Sequence, residues 1–292
     1  MIILREFVGE EIQMRADGKK VKNADPMYKV AAHIMHKRSD SMNMITLDIP
    51  IEPINEYLNK KRKEGKRYSH LSVFVTALLH TFAQYPALNR FVVNKTIYAR
   101  NEIAVGMVVL KGGKIDSHGT MNKIYFEPSF TIEDTENAIQ LYIEENRKED
   151  NENSTDKMIR VLTRVPGVMR FAVCMFKMLD KYGLLPKSVI NISPFHTSAV
   201  ITNLASIRTN HIYHHIYDFG TTSIALAMGN LREVPKRKKD EVVFERCMPI
   251  GMVMDERIAS GSYYALAFRK FRKLLEDPTQ LETPPEIVNE DI

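Results

Sequence analysis

Several kinds of chemistry are nearly absent from this sequence. The 292-residue chain has two cysteines, Cys174 and Cys247, both in apolar surroundings. A disulfide framework is therefore excluded and no Cys/His metal spacing exists, so the two are expected as packed thiols. No run approaches the roughly 18 apolar residues of a membrane span, and the opening MIILREFVGEE is too short and too acidic for a secretion signal. The expectation is a cytoplasmic protein that does not engage a membrane. Internal repeats, low-complexity tracts and long Gly/Ser/Pro linkers are missing too, which points to one domain over residues 1–292. There is no GxSxG elbow, Walker loop or dinucleotide fingerprint, and Gly112-Gly113 reads as a turn between strands rather than a phosphate cradle.

The composition is that of an ordinary globular chain, 44% hydrophobic and 26% charged. Its net charge of +5 is concentrated in two runs, Lys60–Arg67 and Lys236–Lys239. Basic runs can attract nucleic acid or the phosphates of an acidic ligand. Neither run is interleaved with aromatics, so both are read as solvated loops or helix ends and no nucleic-acid partner is expected.

Asp25-Pro26 reads as the cap and first position of a helix carrying Met27, Val30, Ala31, Ile34 and Met35. Met44–Pro50 alternates like a strand. Pro53 opens a helix with Ile54, Tyr57 and Leu58 that Gly65 stops. Ser69 caps a helix whose Leu71, Phe74, Leu78 and Phe82 form one stripe ending before Pro86. Arg90–Ala99 reads as a hairpin around Asn94, Ile103–Leu110 as a buried strand, and Thr131–Arg147 as a helix. Glu149–Asp156 reads as a loop. A helix from Pro166 carries Met169, Val173, Phe176 and Leu179, and its sparse charge favours core packing or a lid over a membrane surface. Strands are expected over Ser198–Leu204, Thr221–Met228 and Val242–Met254, then a helix over Ser262–Leu275. Without strict βαβ alternation the class is α+β around a mixed sheet.

Three passages in order resemble the catalytic domain of the dihydrolipoyl acyltransferases of 2-oxoacid dehydrogenase complexes, whose fold is that of chloramphenicol acetyltransferase. They are Ser72–Asn89, which ends in Pro-Ala-Leu-Asn, then Val200–Ser206 (VITNLAS), and Met254–Pro278, which opens MDERIASG and closes LLEDP. The resemblance spans about Met27 to Pro278. It implies a mixed sheet flanked by helices, a single domain, a homotrimer with its sites between subunits, and CoA or acyl-CoA as co-substrate. No lipoyl or subunit-binding domain precedes it, so covalent lipoate is not expected. A helical insertion is placed at 153–187 by comparison with the family.

In that family a histidine takes the proton of the CoA or dihydrolipoamide thiol, the thiolate attacks the acyl carbonyl, and a hydroxyl opposite stabilises the oxyanion. Here the histidine position is Glu256 and the motif's aspartate is Ser260, whereas Asp255, Arg257 and Gly261 are retained. The hydroxyl position is Thr202, followed by Asn203. A thiol near pKa 8.5 gives its proton to an ordinary imidazole (about 6.5) at roughly 2.7 kcal/mol, but to an ordinary carboxylate (about 4.3) at roughly 5.7 kcal/mol. The extra ~3 kcal/mol slows the step about a hundredfold, and burial of a carboxylate can close the gap. The absent aspartate at Ser260 also removes a partner that could have fixed Arg257. The plainer reading of Glu256 is an ion pair with an arginine at a subunit contact, and that of Thr202 is a strand hydroxyl satisfied by backbone.

His214 and His215 are candidate substitute bases. His211 and His215 share a face if the segment Asn210–Gly220 is helical, but no third ligand is evident and no metal is expected. A His/Tyr pairing at a helical interface is the blander alternative. Three functions stay open. One is acyl transfer from a CoA thioester to a small-molecule acceptor, with an altered or impaired base. Another is a non-catalytic relative that binds acyl-CoA or a protein partner. The third is a purely structural trimer, which the strand-helix frame permits equally well.

Overall fold

The computed structural model describes residues 15–110, 119–147, 154–164 and 167–291. Its strands are β1 (Gly18–Lys20), β2 (Met42–Pro50), β3 (Arg90–Val93), β4 (Thr96–Arg100), β5 (Ile103–Leu110), β6 (Gly119–Phe126), β7 (Ala199–Asn203), β8 (Ile224–Met228), β9 (Arg232–Lys238) and β10 (Glu241–Asp255). Its helices are α1 (Pro26–Ile34), α2 (Glu52–Lys63), α3 (His70–Gln84), α4 (Ile132–Arg147), α5 (Ser154–Thr163), α6 (Val168–Lys181), α7 (Lys187–Ile192) and α8 (Gly261–Glu276). Strands β1 and β9 were not foreseen from the sequence, and β6 was implied only by the reading of Gly112-Gly113 as a turn between strands.

Local chemistry accounts for the best-defined helix starts. At α3 the Ser69 hydroxyl accepts the N–H of Ser72, whose own hydroxyl takes the Ser69 N–H, a reciprocal cap. At α1 the Asp25 carboxylate accepts from the Met27 N–H, with Pro26 inside the first turn. The β3–β4 hairpin turns through Asn94 and Lys95, both left-handed (φ 48 and 64), as a two-residue turn of this hand requires.

The large sheet runs β2-β10-β8-β7-β5-β6, with β9 paired to the far half of β10. The β5–β7 and β7–β8 pairs are parallel and the other pairs antiparallel, so the sheet is mixed as expected. Its two faces differ in kind. Ile250, Met252 and Met254 of β10 join Leu226 and Met228 of β8 and Ile201 of β7 in the core, together with α3 and α8 residues such as Leu78 and Phe271. On the opposite face the register aligns Thr202, Ala227, Gly251 and Thr46 in one row across four strands.

The small residues of that second face admit a strap. Residues 211–217 form neither helix nor strand, which corrects the helical readings of the histidine segment. Ile216 packs on Ala225 and Val253. A Cβ on Gly251 would lie 2.3 Å from the Ile212 carbonyl oxygen, and one on Gly229 would lie 2.3 Å from the His211 nitrogen. Gly251→Ala is therefore expected to cost about 3 kcal/mol in urea unfolding, because a backbone atom must yield. Gly261→Ala is the contrast, since nothing lies within 4 Å of its added Cβ. It should leave stability unchanged or raise it by up to about 1 kcal/mol.

Other expectations also need correction. In α6 only Ala172 and Asp180 are buried, and Phe171 is 71% exposed, so the helix is not a core element. Pro166 and Glu149–Asn153 lie outside the described residues, as do Gly112 and Gly113, while Ser154–Asp156 form the first turn of α5 rather than loop. Cys174 is exposed and only Cys247 is buried. Lys236–Lys238 sit in strand β9, not in a loop or helix end. Thr221 and Thr222 precede β8, their N–H groups donating to the Phe195 carbonyl.

Candidate functional site

The turn after β10 is built on Asp255. This fully buried carboxylate accepts from Arg257 at its backbone nitrogen (3.0 Å), Nε (2.8 Å) and Nη2 (2.7 Å), and from the Ser41 hydroxyl (2.9 Å). Arg38 Nε lies 3.6 Å from its other oxygen. Arg257 is thus fixed by Asp255, and the absent aspartate at Ser260 leaves it no less anchored. Ser260 instead caps α8, its Oγ accepting the Tyr263 N–H (3.1 Å) and sharing a hydrogen with the Ser262 hydroxyl. Glu256 is exposed at the crest of the turn. Its backbone N–H donates to the Ser41 carbonyl (2.8 Å), and among the described residues its carboxylate has no ion pair. The arginine expected to pair with it at a subunit contact is thus not one of the described residues of the same chain.

Thr202 lies near the end of β7 on the strap-covered face. Its hydroxyl is buried and has no hydrogen-bond partner among the described residues, contrary to the expectation of a satisfied strand threonine. A buried unpaired hydroxyl is costly, commonly 1–3 kcal/mol, and is uncommon enough to call for a use. Asn203 has a structural task, its side chain accepting the Ser206 N–H at 3.2 Å.

In the same row His211 Nε2 meets the Thr46 hydroxyl at 3.0 Å, while its Nδ1 is buried without a partner among the described residues. Burial, and then the charge of Arg232, lower its pKa below the ordinary histidine value. It is therefore a neutral imidazole at neutral pH. His211 stands roughly two strand spacings, about 10 Å, from Thr202. His214 is half-buried with Nδ1 on the His215 carbonyl (3.1 Å), and His215 is exposed. Both line a crevice of about 10 Å³ together with Val200 and Ala225, room for about one water and not for an acyl chain.

Thr202 and Glu256 are not brought together within one chain. The Thr202 row meets β10 at Gly251, five residues before Glu256, so two strand spacings and five residue rises separate them by roughly 20 Å. No group of three His, Cys, Asp or Glu among the described residues is placed to hold a metal ion. No helix among them is long and apolar enough to cross a membrane.

Buried charge elsewhere escaped sequence reasoning. Arg15 bridges Asp17 (2.8 Å) and Asp180 (2.8 Å), tying the N-terminal segment to the end of α6. Lys123 Nζ donates to the carbonyls of Ile190 (2.6 Å) and His196 (2.8 Å). Burial first, and the charge of Arg100 second, push Lys123 down to about 7. Between that value and the ordinary lysine range near 10.4 the unfolded chain holds a proton that the folded chain has released. Stability relative to Lys123→Met should therefore rise with pH from about 7 to 10, by at most about 1.4 kcal/mol per unit. Urea unfolding of both proteins across that window checks the sign.

The sequence of residues 196–283 matches the family model described as 2-oxoacid dehydrogenases acyltransferase (catalytic domain). No curated protein matches the chain. Among solved structures, a probable dihydrolipoamide acetyltransferase from Listeria monocytogenes 4b F2365 superposes with a TM-score of 0.55 at 12% identity, over 89% of this chain and 95% of that one. Dihydrolipoamide acetyltransferase of Azotobacter vinelandii gives 0.51 at 11% identity, over 87% and 89%. A chloramphenicol acetyltransferase gives 0.54 at 11% identity, over 88% and 99%. The mixed sheet flanked by helices is the fold these acetyltransferases share, and residues 196–283, which hold both Thr202 and Glu256, are the part whose sequence also resembles their family.

Proposed function

We propose that this chain moves an acyl group from a CoA thioester to a small acceptor, with the Thr202 hydroxyl donating to the oxyanion and Glu256 as the base. The observation that carries this reading is the buried, unpartnered Thr202 hydroxyl at the position that resembles the family's oxyanion donor. A buried donor without a protein partner among the described residues is available for charge that develops only in the transition state. Separation of Thr202 from Glu256 in one chain suits a homotrimer in which each subunit supplies one half of the site. The same contact would have to bury Glu256, which is exposed in the single chain. His211, neutral and with a free Nδ1, is a further base candidate beside His214 and His215.

A second reading, a non-catalytic relative that binds acyl-CoA, is favoured by the exposed Glu256 and by Ser260 being spent on capping α8. Thiol release from acetyl-CoA with dihydrolipoamide and a panel of small acceptors separates the two. Catalysis through Glu256 predicts loss in Glu256→Gln. Activity confined to Glu256→His, up to about a hundredfold above the wild type, would mark a lapsed base. Calorimetric CoA binding without turnover in any variant would establish the binding protein.

A further inference from the structure

A cavity of about 560 Å³ lies between the end of α1, the β3–β4 turn and the last turn of α6, and Glu256 is not among its lining residues. Its walls carry Lys37, Lys95, Lys177 and Lys181, with Arg38 and Arg257 among the lining residues. The volume is that of small-ligand sites, which fall at ~300–1,000 Å³.

The charges around it do not balance. Two arginines, Arg38 and Arg257, share the single carboxylate of Asp255. Arg38 spends its terminal nitrogens on the carbonyls of Tyr217 (2.6 Å) and Val92 (3.2 Å), and its Nε has no hydrogen-bond partner among the described residues. Burial outweighs the attraction of Asp255 and lowers Arg38 below the usual guanidinium value. The two acids on the wall offer little relief. Asp180 is held by Arg15 and lies 3.4 Å from His196 Nε2, and Asp218 accepts from the backbone and hydroxyl of Ser39. None of the four lysines has an ion pair among the described residues, and Lys181 only rests against the Tyr182 ring. Three separate elements thus place exposed lysines around one concave space, and their like charges add to a positive potential there. Val92, Val93 and Phe219 give the same space an apolar side.

We propose that this cavity binds a soluble polyphosphate anion, such as the phosphate chain of a nucleoside polyphosphate. Several lysine point charges converging from different elements suit a flexible chain of phosphates better than a single carboxylate, which asks for one bidentate arginine. The apolar side has room for a base or ring attached to that chain. This inference stands apart from acyl transfer, since none of its lysines belongs to the Thr202 or Glu256 site.

The test is calorimetric titration of the full chain with tripolyphosphate and with ATP at 150 mM salt, where exposed charges farther apart than about 8 Å are screened. Saturable binding is expected. Lys177→Glu combined with Lys181→Glu should weaken it at least tenfold, and the milder Lys177→Gln with Lys181→Gln should weaken it less. Lys236→Glu with Lys238→Glu, in the separate basic run of β9, should leave it unchanged. Thermal unfolding of each variant without ligand verifies folding. Absence of saturable binding, equal weakening by the β9 pair, or binding to phosphatidylglycerol vesicles but not to the soluble anions would each overturn the proposal.

Discussion

Replacing Asp255 by alanine is expected to destabilise the protein by about 3–5 kcal/mol, the usual cost of removing one partner of a buried ion pair. The carboxylate is fully buried and gathers hydrogen bonds from Arg257 and Ser41, with Arg38 beside it. Without it two guanidinium groups stay buried and facing each other, and neither can shed its proton. The loss should be partly reversed in Asp255→Ala combined with Arg257→Met, because removing both partners is far less damaging than removing one. Urea unfolding midpoints for the wild type, both singles and the double form the cycle. A loss below about 1 kcal/mol in Asp255→Ala would mean that water reaches the arginines and that the turn is held by its backbone alone.

That prediction changes how the Asp-Glu-Arg motif is understood. Its aspartate and arginine bond to each other, and the arginine also donates to the Met35 carbonyl at the end of α1. They fasten β10 to the segment around Ser41 whatever stands between them. Such a turn stands as architecture whatever its middle residue, and a match to it identifies a fold more securely than an activity.

What the sequence disclosed depends on how far apart the determining residues lie. The cap of α3 at Ser69 and its stripe of Leu71, Phe74, Leu78 and Phe82 are local, and the last three are buried as their spacing suggested while Leu71 is only partly buried. The Asn94-Lys95 turn is local too. By contrast, Met27, Val30 and Ile34 repeat at helical spacing in α1 yet are at least half exposed, because amphipathic spacing fixes a face but not what covers it. The strap over residues 211–217 could not be read from its own His and Tyr residues. Its path is set by two glycines, Gly229 and Gly251, on other strands. The pairing of Arg15 with Asp180 spans 165 residues and leaves no periodic trace. Of the site, Thr202 and Glu256 were named from the motif, but the isolation of the Thr202 hydroxyl belongs to three-dimensional packing alone.

Thr202→Val separates function from stability in opposite directions. Valine fills nearly the same volume while deleting a hydroxyl that is buried and unpaired. Removing such a group relieves a desolvation penalty, so the variant should be more stable by about 1 kcal/mol in urea unfolding. If Thr202 donates to an oxyanion, the same change should lower the rate of acyl transfer by about 10²–10³, chiefly in kcat, because the bond is made in the transition state. Thr202→Ser keeps the donor and should retain most of the activity. A destabilised Thr202→Val would show that the hydroxyl has a structural partner, such as an ordered water, and would return Thr202 to an ordinary strand residue. Gain of stability with loss of turnover is the pattern expected of a group kept unsatisfied for catalysis, and a purely structural threonine would not produce it.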